Sequence, residues 1–391
     1  MNLTITPGRL SGTVTPPPSK SQAHRLLIAA ALAGEGSVIH NLADSQDIQA
    51  TRRCMAELKT DRSPLPDLDC GESGSTLRFL IPVALALRGG GVFTGHGRLM
   101  ERPQKPYFDI FDEKGVRYGQ GDGKLTLEGR LTPGVYRLPG NVSSQFVTGL
   151  LYALPLLEGD SEILLTSPLE SRGYVDMTLE VLEEFGIRAE ENEDRFLIPG
   201  GQAYQPREAT VESDWSQAAF WYAANCLGSR LEILGLNPES AQGDMAVSHW
   251  AQILSQPGDV EIDVSGCPDL APPLAAMAAV RQGTTYLVNA ARLRIKESDR
   301  LATITAALTA LGADMGESPD SLTIHGKDNL AGGCAVDCCN DHRIAMMAAI
   351  AATRCREPVT LLGAECVAKS YPDFWEHYRM LGGVFHEHAG E

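Results

Sequence analysis

The segment from Pro16 to Gly34, PPPSKSQAHRLLIAAALAG, joins a stiff polar loop to a helix made almost entirely of alanine, leucine and isoleucine. Two cations, Lys20 and Arg25, and two serine hydroxyls stand where this apolar helix is predicted to begin. A helix start offers unpaired backbone N–H groups and a partial positive charge, both of which favour anions. The segment therefore predicts a buried helix whose first turn faces an anion.

The same arrangement, a polar loop followed by a helix of small apolar residues, occurs six times along the chain. Spacings of 52, 70, 71, 53 and 73 residues separate one reference residue of each copy from the next: Ser21, Ser73, Ser143, Asp214, Cys267 and Asn340. Because the short spacing returns after three copies, the chain is interpreted as two halves of three units each.

Between these helices a second element recurs, in which a helix ends at a glycine and an alternating hairpin follows. Gly115, Gly186 and Gly312 stand where a left-handed residue is expected to end the helix, and polar turns separate the strands behind them. In the first unit of each half this element is shortened, as in CMAELKTDRSPLPDLD from Cys54 onward. Each complete unit is thus predicted to contain a buried helix, a strand, an amphipathic helix and a hairpin.

These repeats predict an α/β protein of two domains, each made of three repeated units with buried helices and outer sheets, an inside-out α/β barrel. A chain of 391 residues also exceeds the size at which a single core stops growing. We expect residues 17–213 to form one domain, and residues 1–16 with 214–391 to form the other. The triple proline from Pro16 to Pro18 would be the stiff crossing between them.

The composition indicates a globular protein with a net charge of −17 and an isoelectric point near 5.0. This acidity disfavours a nucleic-acid partner, but charges are screened beyond about 8 Å, so a local cationic pocket can still hold a small anion. No apolar run reaches the roughly 18 residues of a membrane span, and the N-terminus lacks the apolar core of a signal peptide, so we expect a cytoplasmic protein. Nine cysteines without a C-x-x-C pair are expected to be reduced and structural.

Cations accompany these helix starts or stand in separate polar motifs. They are Lys20, Arg25, Arg78, Arg102, Lys296, Arg300, Arg343 and Lys369. One helix start stabilises an anion by only about 0.3–1 kcal/mol, so a strong anion site also needs cationic side chains. Together, the helix starts and the cations predict a receptor for small anions in a cleft between the two domains.

Seven motifs in chain order resemble those of the 5-enolpyruvylshikimate-3-phosphate synthase family. They are PSKSQAHRLLIAAAL, CGESGSTLRFL, ERPQKP, GNVSSQFVTGLL, RIKESDR, NDHRIAMM and AKSYPDF. The resemblance runs from about residue 7 to about residue 376 and implies two domains of threefold-repeated α/β units that close on substrate. It also implies an enzyme of the shikimate pathway, and so of chorismate and aromatic amino acid biosynthesis. That enzyme transfers the enolpyruvyl group of phosphoenolpyruvate to the 5-hydroxyl of shikimate 3-phosphate and releases phosphate.

Two other functions compete with this one. The related enolpyruvyl transferase that acts on UDP-N-acetylglucosamine shares the architecture. It carries a reactive cysteine in the loop that here reads GHGRLMERPQKP, and a Lys-Asn pair where this chain has Lys20-Ser21. A non-catalytic scaffold of threefold repeats would expose apolar patches, and it would give no reason for cations beside buried helices. Phosphate release that requires both substrates together would distinguish the enzyme from the scaffold.

The resemblance assigns one group of residues to shikimate 3-phosphate. Lys20 should contact both substrates, while Ser21 and Arg25 should hold the shikimate ring and its carboxylate. The remaining residues implied to bind this substrate are Ser143, Ser144, Gln145, Ser171, Tyr174, Asp269 and Lys296. Where some relatives use an asparagine for the phosphate, four residues before Lys296, this chain has Arg292, so a phosphate contact there stays open.

A second group is implied to bind phosphoenolpyruvate: Lys20, Gly74, Arg102, Gln145, Arg300, Arg343 and Lys369. Gly74 suits such a place on physical grounds too, because a residue without Cβ lets a ligand approach the backbone closely. Asp47, in DSQDI, is a further candidate for the lining of this pocket.

Two carboxylates are implied to move protons. Asp269 matches the base at the 5-hydroxyl and Glu297 matches the proton shuttle at C3 of phosphoenolpyruvate, with Lys20 as a second candidate for that transfer. Taken without the resemblance, Asp269 fits a helix cap and Glu297 fits a helix surface near Lys296. The reaction needs no metal, nucleotide or organic cofactor, the partners are the two small substrates alone, and we expect a monomer.

Overall fold

A computed structural model describes residues 1–61 and 63–388. The chain divides into two compact units. One consists of Lys20–Val211, and the other of Met1–Ser19 together with Glu212–Glu391. We refer to them as the middle unit and the terminal unit.

The helices and strands alternate along the whole chain. The helices are α1 (Lys20–Ala33), α2 (Gln46–Leu58), α3 (Gly74–Arg88), α4 (Lys105–Lys114), α5 (Ser144–Ala153), α6 (Arg172–Glu184), α7 (Trp215–Cys226), α8 (Val247–Leu254), α9 (Ala271–Ala279), α10 (Arg300–Ala310), α11 (His342–Ala352) and α12 (Phe374–Met380). The strands are β1 (Asn2–Thr6), β2 (Ser11–Val14), β3 (Val38–His40), β4 (Asp67–Asp69), β5 (Gly90–Thr94), β6 (Arg117–Gly121), β7 (Lys124–Glu128), β8 (Gly134–Leu138), β9 (Ser161–Leu165), β10 (Glu190–Asn192), β11 (Arg195–Ile198), β12 (Glu208–Thr210), β13 (Arg230–Ile233), β14 (Val260–Asp263), β15 (Thr284–Val288), β16 (Asp314–Glu317), β17 (Leu322–His325), β18 (Ala335–Asp337), β19 (Val359–Leu362) and β20 (Val384–His388).

Two four-stranded sheets and one two-stranded sheet form the middle unit. Their strand orders are β4-β5-β7-β6, β10-β11-β9-β8 and β12-β3. In each larger sheet, two parallel strands come before and after a central helix in the sequence: β4 and β5 around α3, and β8 and β9 around α5. A hairpin follows, and one of its strands pairs antiparallel with the second of these two strands. Among the described residues no hairpin joins the two-stranded sheet, which belongs to the shortened first repeat.

The terminal unit has the same design. Its strand orders are β14-β15-β17-β16, β18-β19-β1-β20 and β13-β2. Here β1, from the very start of the chain, takes the place that a hairpin strand occupies in the other large sheets, with Leu3 opposite Leu361. The chain leaves this unit after Ser19 and returns at Glu212, and the Ser19 N–H donates to the Glu212 carbonyl over 2.7 Å.

Each unit is built around three helices that start its repeats, α1, α3 and α5 in the middle unit and α7, α9 and α11 in the terminal unit. Every residue of α9 and α11 is buried, which their small side chains permit because alanine allows close approach of neighbouring backbones. In α5, a Cβ on Gly149 would lie 2.5 Å from the Arg78 carbonyl oxygen of α3, so this packing requires glycine. The two-domain α/β fold with helices inside and sheets outside is confirmed.

Side chains at the helix starts satisfy the first backbone N–H groups. Ser73, Ser143, Asp214 and Asp341 each accept a hydrogen bond from the first turn of the helix that follows. This is the usual role of serine and aspartate at that position. In the described ranges, no helix is long and apolar enough to cross a membrane. All nine cysteines are free thiols.

Candidate active site

Three helix starts of the terminal unit meet around one carboxylate, that of Asp269. Asp269 lies just before α9, Arg300 begins α10, and Arg343 stands in the first turn of α11. The Asp269 carboxylate contacts Arg300 Nη1 at 2.9 Å, Arg343 Nη2 at 3.1 Å and Lys296 Nζ at 3.5 Å. Four residues that the sequence assigned to binding or catalysis therefore form a single ion-pair cluster.

Arg300 contacts three carboxylates at once and is only 1% exposed. Besides Asp269, it donates to Glu297 Oε2 over 2.7 Å and to Asp341 Oδ2 over 2.9 Å. Asp341 is fully buried and also accepts from the Ser298 hydroxyl over 2.8 Å. Arg300 thus holds both predicted catalytic carboxylates, Asp269 and Glu297, in fixed positions, and Asp341 holds Arg300.

The cluster changes the acidity of its members. Burial alone would raise the pKa of Asp269, but Arg343, Lys296 and Arg300 together hold that pKa well below its usual value. Burial lowers the pKa of Lys296 to about 8, against the opposing effect of Asp269. Asp269 is therefore ionised throughout the physiological range, while Lys296 titrates near its upper end.

Lys369 lies at the end of the short 3₁₀-helix that follows β19, and it is 4% exposed. Its Nζ donates to the Asn340 carbonyl over 2.6 Å, directly before the first turn of α11. The next residue, Ser370, accepts a hydrogen bond from Gln217 Nε2 of α7 over 3.1 Å. The starts of α7 and α11 consequently both lie beside this segment.

In the middle unit, Lys20, which the sequence predicts to contact both substrates, is the first residue of α1. Its Nζ forms an ion pair with Asp47 Oδ2 of α2 at 2.8 Å, and both side chains are mostly buried. The ion pair fixes the lysine head at the start of α1 and brings Asp47 into the same region.

Arg25, one turn further along α1, is 2% exposed and links α1 to α6. Its Nε donates to Thr178 Oγ1 over 2.9 Å, one Nη to the Tyr174 carbonyl over 2.7 Å, and the other to the Ser21 carbonyl over 2.6 Å. Ser171 precedes α6 in the left-handed region with φ 55°, three residues before Tyr174. The predicted residues Ser21, Arg25, Ser171 and Tyr174 are thus brought close together by α1 and α6.

The first turns of α3 and α5 meet through Gln145. Its Oε1 accepts from Arg78 Nη1 over 3.0 Å, and its Nε2 donates to Ser75 Oγ over 3.1 Å. Ser143 caps α5, with its side chain accepting from the Gln145 N–H, and Ser144 is buried as the first residue of that helix. The predicted phosphate-binding residues Ser143, Ser144 and Gln145 therefore lie beside α3.

The Arg102 guanidinium lies directly over Gly74, the first residue of α3. A Cβ built on Gly74 would stand 2.4 Å from Arg102 Nη1, so glycine is what lets this arginine rest there. Two residues implied to bind phosphoenolpyruvate are in this way adjacent. Arg292, whose role the sequence left open, donates to the Ser265 carbonyl of the terminal unit.

Several residues of these clusters were not assigned a role from the sequence. Asp341 was visible only as part of NDHR, although an aspartate before an apolar helix is the usual signal for a cap. Arg78 was predicted only as one of the cations, without a partner or a substrate. Thr178 and Ser75 carried no signal of their own, because nothing in a linear sequence shows which partner a single polar residue on an apolar helix will meet. Over the described residues, no group of three or more His, Cys, Asp or Glu side chains is placed to hold a metal ion.

Known proteins resemble this chain over nearly its whole length. The chain is 46% identical to the 3-phosphoshikimate 1-carboxyvinyltransferase of Clostridium kluyveri, over 98% of each chain. That alignment has 419 positions, and the 98% of this chain that it covers is about 383 residues. At about 36 positions (419 − 383), the relative therefore has a residue where this chain has none.

Solved structures show the same fold. The EPSP synthase of Acinetobacter baumannii superposes with a TM-score of 0.79 at 24% identity, covering 99% of this chain and 100% of that one. The enolpyruvyl transferase NikO of Streptomyces tendae gives a TM-score of 0.78 at 19% identity, covering 100% and 99%. The fold is therefore that of the enolpyruvyl transferases. The model of the EPSP synthase (3-phosphoshikimate 1-carboxyvinyltransferase) family matches residues 5–378, and the chain belongs to this family.

Proposed function

We propose that this protein transfers the enolpyruvyl group of phosphoenolpyruvate to the 5-hydroxyl of shikimate 3-phosphate, giving 5-enolpyruvylshikimate 3-phosphate and phosphate. Membership of the family supports this activity over nearly the whole chain. The observation that carries it is the cluster in which Arg300 holds Asp269 and Glu297 beside Arg343 and Lys296. It combines two carboxylates for proton transfer with cations for anionic substrates.

The binding roles follow the chemistry of each substrate. For shikimate 3-phosphate we assign Lys20, Ser21, Arg25, Ser143, Ser144, Gln145, Ser171, Tyr174, Asp269 and Lys296. For phosphoenolpyruvate we assign Lys20, Gly74, Arg102, Gln145, Arg300, Arg343 and Lys369. Both substrates carry a phosphate and a carboxylate, which arginine binds in a bidentate manner and lysine as a point charge.

In the first step, the 5-hydroxyl oxygen attacks C2 of phosphoenolpyruvate while C3 gains a proton. Asp269 takes the hydroxyl proton, and Glu297, or Lys20 as the alternative, supplies the proton at C3. The carboxyl groups of Asp269 and Glu297 also stabilise the cationic character that develops at C2. In the second step the tetrahedral ketal loses its phosphate and C3 returns its proton, so the acid and base exchange roles.

Substrate binding itself would prepare Asp269 for this work. Arg343 and Lys296 are two of the cations that hold the pKa of Asp269 low. A bound anion would neutralise part of their charge, and the pKa of Asp269 would then rise toward the range that a general base needs. The carboxylate would thus become a better proton acceptor only when substrate is present.

A phosphate-release assay tests the proposed activity. Phosphate should appear only when shikimate 3-phosphate and phosphoenolpyruvate are present together, with one phosphate for each enolpyruvyl group transferred. Release from phosphoenolpyruvate alone, or no release with both substrates, would refute the activity. Replacing shikimate 3-phosphate by UDP-N-acetylglucosamine serves as the control for the related transferase, and it should give none.

Binding of shikimate 3-phosphate should weaken above pH 8 because of Lys296. The pKa of this ammonium is lowered to about 8, so the group is charged below that pH and neutral above it. The phosphate of the substrate is already fully ionised there, since its second pKa is about 6. We expect Kd to rise up to about tenfold per pH unit above pH 8, measured by calorimetry.

Lys296→Arg is the matched control for this titration, because arginine keeps its charge beyond pH 12. In this variant Kd should stay constant between pH 7.5 and about 9.5. An equally steep rise in Kd in both proteins would remove Lys296 from the list of binding residues.

Gly74→Ala should raise the KM for phosphoenolpyruvate about tenfold or more while leaving the Kd of shikimate 3-phosphate unchanged. The new Cβ would meet Arg102 Nη1 at 2.4 Å, so the guanidinium has to move away from its place. Steady-state kinetics at saturating shikimate 3-phosphate measures this effect. Gly119→Ala, where an added Cβ meets no atom within 4 Å, is the control and should match the wild type.

We further propose that the enzyme acts as a monomer in the cytoplasm. Sedimentation velocity at several protein concentrations tests the first point. A concentration-independent value for a 42.0 kDa particle is expected.

A further inference from the structure

In the part of the chain that the structure describes, the first repeat of the middle unit lacks a strand that the complete repeats have. In each four-stranded sheet, an antiparallel strand lies beside the second parallel strand: β7 beside β5, β11 beside β9, β17 beside β15, and β1 beside β19. The corresponding strand of the first repeat, β3, has β12 on one side. On its other side the described chain supplies no strand.

The additional strands share a pattern. Each buries two apolar side chains two residues apart, and all eight are at most 1% exposed: Leu125 and Leu127, Phe196 and Ile198, Leu322 and Ile324, Leu3 and Ile5. One residue of each pair stands opposite an inward-facing residue of the neighbouring strand. These inward-facing residues are 0% exposed in every case: Phe93, Ile163, Leu287 and Leu361. In the complete repeats, the edge of the second parallel strand is thus covered by an antiparallel strand with two apolar side chains two residues apart.

At β3 this cover is missing. Ile39 pairs with Ala209 of the parallel strand β12 and is the equivalent of those four inward-facing residues. It is only partly buried, and Val38 is 49% exposed. A groove of about 370 Å³ runs along the strand between α1 and α2. Its apolar lining includes Leu27, Ala30, Ala31, Ile39, Leu42 and Met55.

In the two-stranded sheet of the terminal unit, a side chain of the same chain occupies the equivalent open edge, that of β13. There the Leu231 N–H donates to Asn225 Oδ1 over 2.7 Å, and the Leu231 carbonyl accepts from Asn225 Nδ2 over 2.9 Å. Asn225 stands three residues before Gly228, which follows the end of α7, whereas Ala31 stands three residues before Gly34 in α1. An alanine cannot close the edge of β3 in this way.

The charges beside the groove select the partner. Arg52 and Lys59 of the groove are exposed, and neither forms an ion pair with any residue that the structure describes. A second copy of the chain paired through β3 would bring these cations together, which opposes a symmetric dimer. An acidic strand would instead neutralise them.

We propose that this groove binds an extended acidic segment of another protein, which adds antiparallel to β3 and inserts two aliphatic side chains two residues apart. Backbone hydrogen bonds to the open edge provide affinity in this mode of recognition, and the pockets for alternate side chains provide specificity. The partner replaces the hairpin that the other repeats carry. This binding function goes beyond the proposed catalytic activity and uses none of the residues assigned to catalysis.

The protein's own hairpin supplies a suitable probe. A fluorescein-labelled peptide of residues 122–129 with glutamate in place of Lys124, DGELTLEG, carries two leucines two residues apart and acidic neighbours. Fluorescence anisotropy with the full-length protein should show saturable binding below about 1 mM. The control peptide DGESTSEG, without the leucines, should bind at least about tenfold more weakly.

Variants of the groove test where the peptide binds. Lys59→Glu should weaken binding about tenfold by reversing a charge at the groove, and Ala31→Trp should abolish it by filling the groove. Lys124→Glu makes the same charge change at an exposed position of β7 and should have no effect. Ala56→Trp, on the exposed side of α2, replaces Ala31→Trp if circular dichroism shows that the latter does not fold.

Three results would overturn the inference. They are no saturable binding up to about 1 mM, equal binding of both peptides, and binding that survives in the folded tryptophan variant. A concentration-dependent dimer that Ile39→Lys abolishes would assign the groove to a second copy of the chain and would also overturn it. Because none of these measurements uses enolpyruvyl transfer, their failure is distinguishable from failure of the proposed activity.

Discussion

Glu297→Gln should lower kcat by about 10³-fold while leaving the Kd of shikimate 3-phosphate within about threefold of the wild type. Glutamine keeps the size of the side chain and can still accept the hydrogen bond that Arg300 Nη2 now donates over 2.7 Å. It cannot donate a proton to C3, and it lacks the negative charge that stabilises C2. The effect therefore falls on the chemical step, which steady-state phosphate release and calorimetric titration separate from binding.

Glu317→Gln is the matched control for this prediction. Glu317 belongs to the same unit and faces Arg294 at 3.6 Å, outside the ion-pair cluster of Arg300. This variant should have wild-type kcat. A wild-type rate in Glu297→Gln would instead show that Glu297 transfers no proton, and Lys20 would become the leading candidate.

Asp341→Ala should destabilise the protein by about 3–5 kcal/mol, because it removes the only fully buried one of the three carboxylates that compensate Arg300. Arg300 is 1% exposed and donates to both Asp341 oxygens. The same substitution removes the side chain that caps α11, accepting from the Arg343 N–H over 3.0 Å. Chemical denaturation measures the loss of stability, and circular dichroism identifies the temperatures at which the variant remains folded.

A kinetic measurement distinguishes positioning from stability alone. If Asp341 acts by orienting Arg300, and through it Asp269 and Glu297, then kcat should fall about 10²-fold even at a temperature where the variant is folded. Asp341→Asn keeps the shape and one acceptor, so it should recover much of the stability and part of kcat. A folded Asp341→Ala enzyme with wild-type kcat would limit Asp341 to a structural role.

The sequence was most informative about elements whose signals are local. The periodic recurrence of polar loops and alanine-rich helices predicted three buried helices in each half, because small residues and cap residues act on their own segment. The shortened repeat after Cys54 was equally visible, since a missing hairpin is a missing stretch of sequence. Its consequence, the uncovered edge of β3, was not visible, because the chain alone does not show that Asn225 closes the equivalent edge at Leu231.

Which side chains meet was decided by the tertiary structure, since the contacts of the site join distant positions. Arg300 reaches Asp341 across 41 residues, Arg343 reaches Asp269 across 74, and Arg25 reaches the Tyr174 carbonyl across 149. The sequence determined that cations and carboxylates stand at helix starts. The packing of the buried helices against one another brings those starts together in space. In the cluster around Arg300, each buried charge has a partner of opposite sign, because an unpaired buried charge is costly.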